Sequence, residues 1–161
     1  MSQIDAQPAA AECELADAAA TRALGRRLAV VLPAGALLLL HGELGAGKTC
    51  LVQGLAEGLG IGEPITSPTF ALAQHYGGRR ADGGATALVH LDLYRLEDPA
   101  AATELFAQEE EEARALGAVM AVEWPERLGF VPEPCWRVAL AFAGEGRRAR
   151  IWGDGFGERH R

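Results

Sequence analysis

The hydrophobic positions of this chain change their period several times, and each change marks an element. From Asp17 to Leu32 the apolar residues Ala20, Leu24, Leu28 and Val31 recur at helical spacing, with Arg22, Arg26 and Arg27 between them. That spacing predicts an amphipathic helix lying on one face of a sheet, with Asp17 as its N-cap and Pro33 as its stop. Leu37–His41 is an unbroken apolar run of the kind a central parallel strand needs on both faces. A second helix is predicted from Lys48 to about Gly58, where Gly58, Gly60 and Gly62 stop it. Phe70–Tyr76 reads as a strand, and the glycine-rich Gly77–Gly84 as a flexible hairpin-type connection. In Ala87–Leu93 alternation places His90, Asp92 and Tyr94 on one face and Val89, Leu91 and Leu93 on the other. Pro99–Arg114 follows as an acidic helix whose run Glu109–Glu112 reads as a solvated face. Gly117–Glu123 is a further strand. Trp136–Phe142 and Arg147–Trp152, joined by residues 143–146, form a closing β-hairpin. Residues 1–12 are expected to be a loose arm and residues 153–161 a frayed tail of an otherwise single domain. The alternation of strands and helices defines an α/β fold.

Composition narrows the function. With 161 residues, 49% hydrophobic and 23% charged, the chain is long enough for a proper core. Its net charge of −7 disfavours a broad grip on nucleic acid, which needs clustered cations, so any RNA contact is expected to be local or through a partner. Cys13, Cys50 and Cys135 are widely spaced, with no CxxC pair, and point neither to a disulfide framework nor to a zinc site. The N-terminus lacks the basic and apolar regions of a secretory signal, and Leu37–Leu40 is far too short to cross a bilayer. A cytoplasmic location is expected.

The candidate chemistry sits between the first apolar strand and the second helix. Gly42-Glu43-Leu44-Gly45-Ala46-Gly47-Lys48-Thr49 fits GxxxxGK[ST], the P-loop, whose backbone N–H groups cradle phosphates while the lysine reaches the β/γ-phosphates and the hydroxyl holds Mg²⁺. The helix that follows adds its dipole and unpaired N–H groups to the same point. A chance match is disfavoured by composition. Fourteen of the 15 basic residues are Arg, and Lys48 is the single Lys. A compact ammonium sits between two phosphate groups as a point charge, which a planar guanidinium does less well. The residues assigned to nucleotide are therefore Glu43, Leu44, Gly45, Ala46, Gly47, Lys48, Thr49 and Cys50. Downstream, the loop Glu63–Phe70 concentrates hydroxyls, including Ser67, one of only two serines, and Thr69. These are ordinary loop chemistry, or a sensor of the γ-phosphate and Mg²⁺ of the kind that follows the first helix in P-loop proteins. His90 alone reads as a satisfied core histidine. Asp92, in an apolar strand, is costly unless it is paired or meets a cation. Glu123 ends an apolar run resembling a Walker B segment, at the strand edge where open α/β sheets place their ligands.

HGELGAGKT, TSPTF, HLDLYRLEDP and VEWPERLG, in this order and spacing, resemble the bacterial TsaE (YjeE) family over roughly Leu24 to Arg150. The P-loop alone is widespread, but its combination with SPTF, DLYRL and EWPER is narrow. The resemblance implies a P-loop NTPase-like three-layer fold with a mixed central sheet. It also implies an ATPase of tRNA threonylcarbamoyladenosine biosynthesis that acts with TsaB and TsaD and meets tRNA only through their complex. On this chain it puts Lys48 and Thr49 on phosphate and Mg²⁺, Ser67 and Thr69 in a switch-like loop, and Asp92, Glu123 and Trp124 around the site. ATP or ADP with Mg²⁺ is the expected ligand, Thr49 and Glu123 the expected metal ligands, and Lys48, Asp92 and Glu123 the expected catalytic set. Asp92 and Glu123 remain rivals for direct contact with the metal. A small-molecule kinase is the alternative, but it needs an arginine-rich lid, and only Arg79 and Arg80 lie in a glycine loop. A regulatory GTPase is disfavoured because its base-reading motif needs Asn, which this chain lacks. The oligomeric state is not legible.

Overall fold

The structure, a computed structural model, describes residues 11–66 and 72–153. Seven strands form one mixed sheet in the order β1-β7-β6-β2-β5-β4-β3. They are β1 (Ala11–Leu15), β2 (Leu37–His41), β3 (Ala73–Arg79), β4 (Ala85–Asp92), β5 (Val119–Glu123), β6 (Trp136–Ala143) and β7 (Gly146–Gly153). The helices are α1 (Ala18–Val31), α2 (Lys48–Gly58) and α3 (Pro99–Leu116). β2 pairs in parallel with β5 and β6, and β5 with β4, while β3, β7 and β1 add antiparallel flanks. All four parallel strands therefore deliver their carboxyl ends to one edge of the sheet.

Local chemistry starts and stops the helices. The Asp17 carboxylate accepts from the Ala20 N–H at 2.9 Å, a cap worth about 1 kcal/mol. Asp98 caps α3 in the same way, Pro99 opens it, and Gly117 closes it in the left-handed region. Strand periodicity then divides the core. Leu38 and Leu40 face α1 and α2, whereas Leu37 and Leu39 face α3, with Val89, Leu91, Met120 and Val122 beside them. β2 is buried on both faces because it lies at the centre of three layers.

Four expectations change. Ala11 and Glu12 are not part of an arm: they pair with Ile151 and Arg150, making a first strand that a five-residue alternation is too short to announce. Gly77–Arg79 belong to β3, paired with β4 through Ala85, so the connection is only residues 80–84. Gly153 ends β7 opposite Trp136 and is not tail. Phe70, and the hydroxyl residues Ser67 and Thr69, lie outside the described residues. The acidic run on α3 is partly engaged rather than merely solvated, since Glu109 pairs with His75 at 2.5 Å across to β3 and Glu110 with Arg114 at 3.6 Å.

Candidate functional site

The turn between β2 and α2 is shaped by glycine and by a clamp from the closing hairpin. Gly42 has φ 150° and Gly47 φ 110°, and a Cβ at Gly42 would lie 2.8 Å from the Leu140 carbonyl of β6. No side chain caps α2 at Gly47, so the first N–H groups of the helix keep no internal acceptor and face the turn. The Ala46 N–H closes the turn on the Glu43 carbonyl at 3.0 Å. Arg147, at the start of β7, donates to the Gly45 carbonyl at 3.1 Å and to the Ala46 carbonyl at 3.2 Å, with its guanidinium 4.3 Å from the Phe142 ring. In a trans peptide the N–H points opposite to the C=O, so holding the Ala46 carbonyl outward turns the Gly47 N–H away from Arg147 and into the cradle. Nothing local in the sequence marks Arg147, which is about a hundred residues from the turn.

Side chains from three strand ends meet this turn. Lys48 is 6% exposed; its ammonium donates to the Gly42 carbonyl and lies 4.0 Å from the Trp124 ring centre. Burial lowers the Lys48 pKa, against the pull of Glu123, Glu126 and Asp92. The Thr49 hydroxyl donates to Glu123 Oε2 at 3.3 Å, and His90 Nε2 lies 2.6 Å from the same oxygen. Asp92 faces Glu123 in the β4–β5 register. Its carboxylate accepts from the Tyr94 N–H at 3.0 Å, and burial foremost, with Glu123 adding, raises its pKa. Trp124 follows β5 in the left-handed region at φ 59°, the one non-glycine residue with positive φ among those described. Strain of about 1–3 kcal/mol is typical there and aims the indole back over Lys48 and against Tyr94, ring centres 4.9 Å apart. A cavity of about 350 Å³ lies among Lys48, Thr49, Asp92, Arg95, Glu123 and Trp124. A second cleft of about 230 Å³ lies on the other side of the turn, between Asp17, Thr21, Cys50, Glu145 and Arg147.

The structure thus brings Gly45, Gly47, Lys48, Thr49, Asp92, Glu123 and Trp124 to one place. Glu43 contributes its carbonyl to the turn, Leu44 is exposed at the cavity rim, and Cys50 borders both clefts while its thiol contacts the Ala18 carbonyl at 3.3 Å. His90 is fully buried, as a core histidine should be, but its partner is Glu123. Among the described residues no three His, Cys, Asp or Glu side chains form a metal-holding group.

A phosphate-type turn at the carboxyl end of a central parallel strand, flanked by paired carboxylates on the next two strands, defines an α/β protein of P-loop NTPase-like fold. The model of the family described as threonylcarbamoyl adenosine biosynthesis protein TsaE matches residues 15–150. The chain belongs to that family, which serves tRNA threonylcarbamoyladenosine biosynthesis. It is 43% identical over 134 residues to the tRNA threonylcarbamoyladenosine biosynthesis protein TsaE of Nostoc sp., covering 83% of this chain and 80% of that protein. With the TsaE of Synechocystis sp. it shares 47% identity over 120 residues, 73% of this chain and 72% of the relative. The crystal structure of YdiB from Bacillus subtilis superposes with a TM-score of 0.68 at 27% identity, over 90% of this chain and 86% of that one.

Proposed function

We propose that this chain is the ATP-binding and ATP-hydrolysing component of the tRNA threonylcarbamoyladenosine machinery, acting with TsaB and TsaD. The observation that carries the proposal is the convergence of the single lysine, a helix N-terminus without a side-chain cap and a threonine–glutamate pair on one turn. The donor set fits a polyphosphate: orphan N–H groups and one ammonium offer positive charge where a triphosphate carries negative charge. Thr49 and Glu123 are the oxygen ligands suited to Mg²⁺, a hard cation that takes one or two carboxylates and completes its shell from phosphate and water. That shared shell is compatible with the lack of an all-protein metal cluster among the described residues. When bound, the cation neutralises charge on the phosphates.

Lys48 then leaves the Gly42 carbonyl for the β/γ-phosphates, a charge-assisted exchange of one acceptor for a stronger one. Asp92, which neighbours Glu123 and whose pKa is raised by burial, orients the attacking water in this reading. The cleft among Thr21, Cys50 and Arg147, which shares Gly45 and Gly47 with the first cavity, would take the base. Calorimetry of ATP and ADP binding tests the reading. Lys48→Ala is expected to cost about 1.5–3 kcal/mol, an order of magnitude or more in affinity. Equal affinity in the mutant overturns the assignment, and phosphate transfer to a small acceptor would promote the kinase alternative.

A further inference from the structure

We propose that His90 is a positioning residue that holds Glu123 in the orientation in which it meets a divalent cation, an inference that rests on the reading of Glu123 as a metal ligand. In the β4–β5 ladder His90 stands opposite Ala121, so Glu123 is its diagonal neighbour on the same face, within reach of a ring and a long side chain. The imidazole is 0% exposed and its Nε2 lies 2.6 Å from Glu123 Oε2. An ionised carboxylate only accepts, so the ring nitrogen donates in this contact. Oε2 also takes the Thr49 hydroxyl at 3.3 Å, while Oε1 receives no hydrogen bond from the described residues. Both internal bonds therefore fall on one oxygen and leave the other free for a ligand. The remaining ring nitrogen, Nδ1, is buried without a hydrogen-bond partner. A leucine in this slot would leave no orphan polar atom; what the imidazole adds is the direction of the Glu123 carboxylate. Hydrogen-bond partners just outside a metal's direct shell work in this way, by fixing a ligand's orientation.

The test is the Mg²⁺ requirement of ADP binding, read by calorimetry and, with Mn²⁺ as probe, by paramagnetic resonance. His90→Leu is expected to raise the half-saturating metal concentration about tenfold or more, leaving ADP affinity in chelator unchanged. His90→Gln, whose amide nitrogen reaches the place of Nε2, is expected to restore most of the metal affinity, and the shorter His90→Asn to fail. Should His90→Leu not fold, the Gln and Asn variants carry the comparison. Thermal melts that shift in all three variants with a wild-type metal requirement would mean that His90 only fills the core, and would overturn the proposal. Glu123→Ala separates the two levels. If it keeps full metal dependence, the metal assignment falls and His90's role with it; if it loses that dependence while the His90 variants do not, the inference about His90 alone falls.

Discussion

Asp92 is the residue at which stability and function pull apart. Its carboxylate is half-buried, and burial, reinforced by Glu123, raises its pKa despite the Tyr94 N–H that favours the charged form. A carboxyl whose folded pKa lies above its unfolded value binds its proton more tightly in the native state. Stability therefore falls as pH rises from the ordinary aspartate range through the raised value, and the full cost stands above it. Asn keeps an oxygen for the Tyr94 N–H and has no charge to desolvate. Asp92→Asn is accordingly expected to melt at a higher temperature than wild type near neutral pH, with the gap closing in acid, and to hydrolyse ATP more slowly. Melting curves across pH 4 to 8 with a steady-state ATPase assay check both halves; a mutant that melts lower at neutral pH contradicts the sign.

At the scale of elements, the turn between β2 and α2 depends on how closely α2 is pressed against α1. Gly54 is the closest point: a Cβ there would lie 2.0 Å from the Arg22 carbonyl oxygen and 2.7 Å from its carbon. These are backbone atoms, so no rotamer relieves the contact and the helices must separate. Alanine would gain about 1 kcal/mol of helix propensity over glycine, but overpacking against backbone costs up to about 3 kcal/mol or more. Gly54→Ala is thus expected to lower stability by about 2 kcal/mol in urea denaturation, whereas Gly62→Ala, with nothing within 4 Å of its Cβ, should be nearly neutral. The hairpin β6–β7 supports the turn from the opposite side through Arg147, so elements far apart in sequence converge on one loop.

At the scale of the molecule, few cations besides Lys48 stand at the cavity among the described residues. Arg127 lies 5.7 Å from the Tyr94 ring and 5.9 Å from the Trp124 ring, engaged with the aromatic wall, while Arg95 is exposed at the cavity. A transition-state arginine supplied by a partner is worth about 10³ to 10⁵ in rate. Hydrolysis by the isolated chain is therefore expected to be slow and to rise clearly when the TsaB–TsaD complex is added, with Trp fluorescence responding to nucleotide through Trp124 over Lys48. Turnover that is fast alone and indifferent to partners counts against this. No described helix is long and apolar enough to cross a membrane.

Features that depend on neighbours along the chain were legible in the residues themselves. The Asp17 cap, the unbroken leucines of β2 and the P-loop spacing from Gly42 to Thr49 are local or periodic signals, and the structure follows them nearly residue for residue. Glu123 at the end of β5 and Asp92 at the end of β4 were legible for the same reason, since a carboxylate closing an apolar run has few inexpensive places to go. The rest came with the assembled sheet. β1 exists because β7 offers it an edge, and Ala11–Leu15 carries too few alternations to declare itself. Arg147 reaches Gly45 and Ala46, and His90 reaches Glu123, only once strand order and register are set. Such contacts depend on which strands lie side by side, a property of the whole sheet that no window of residues contains.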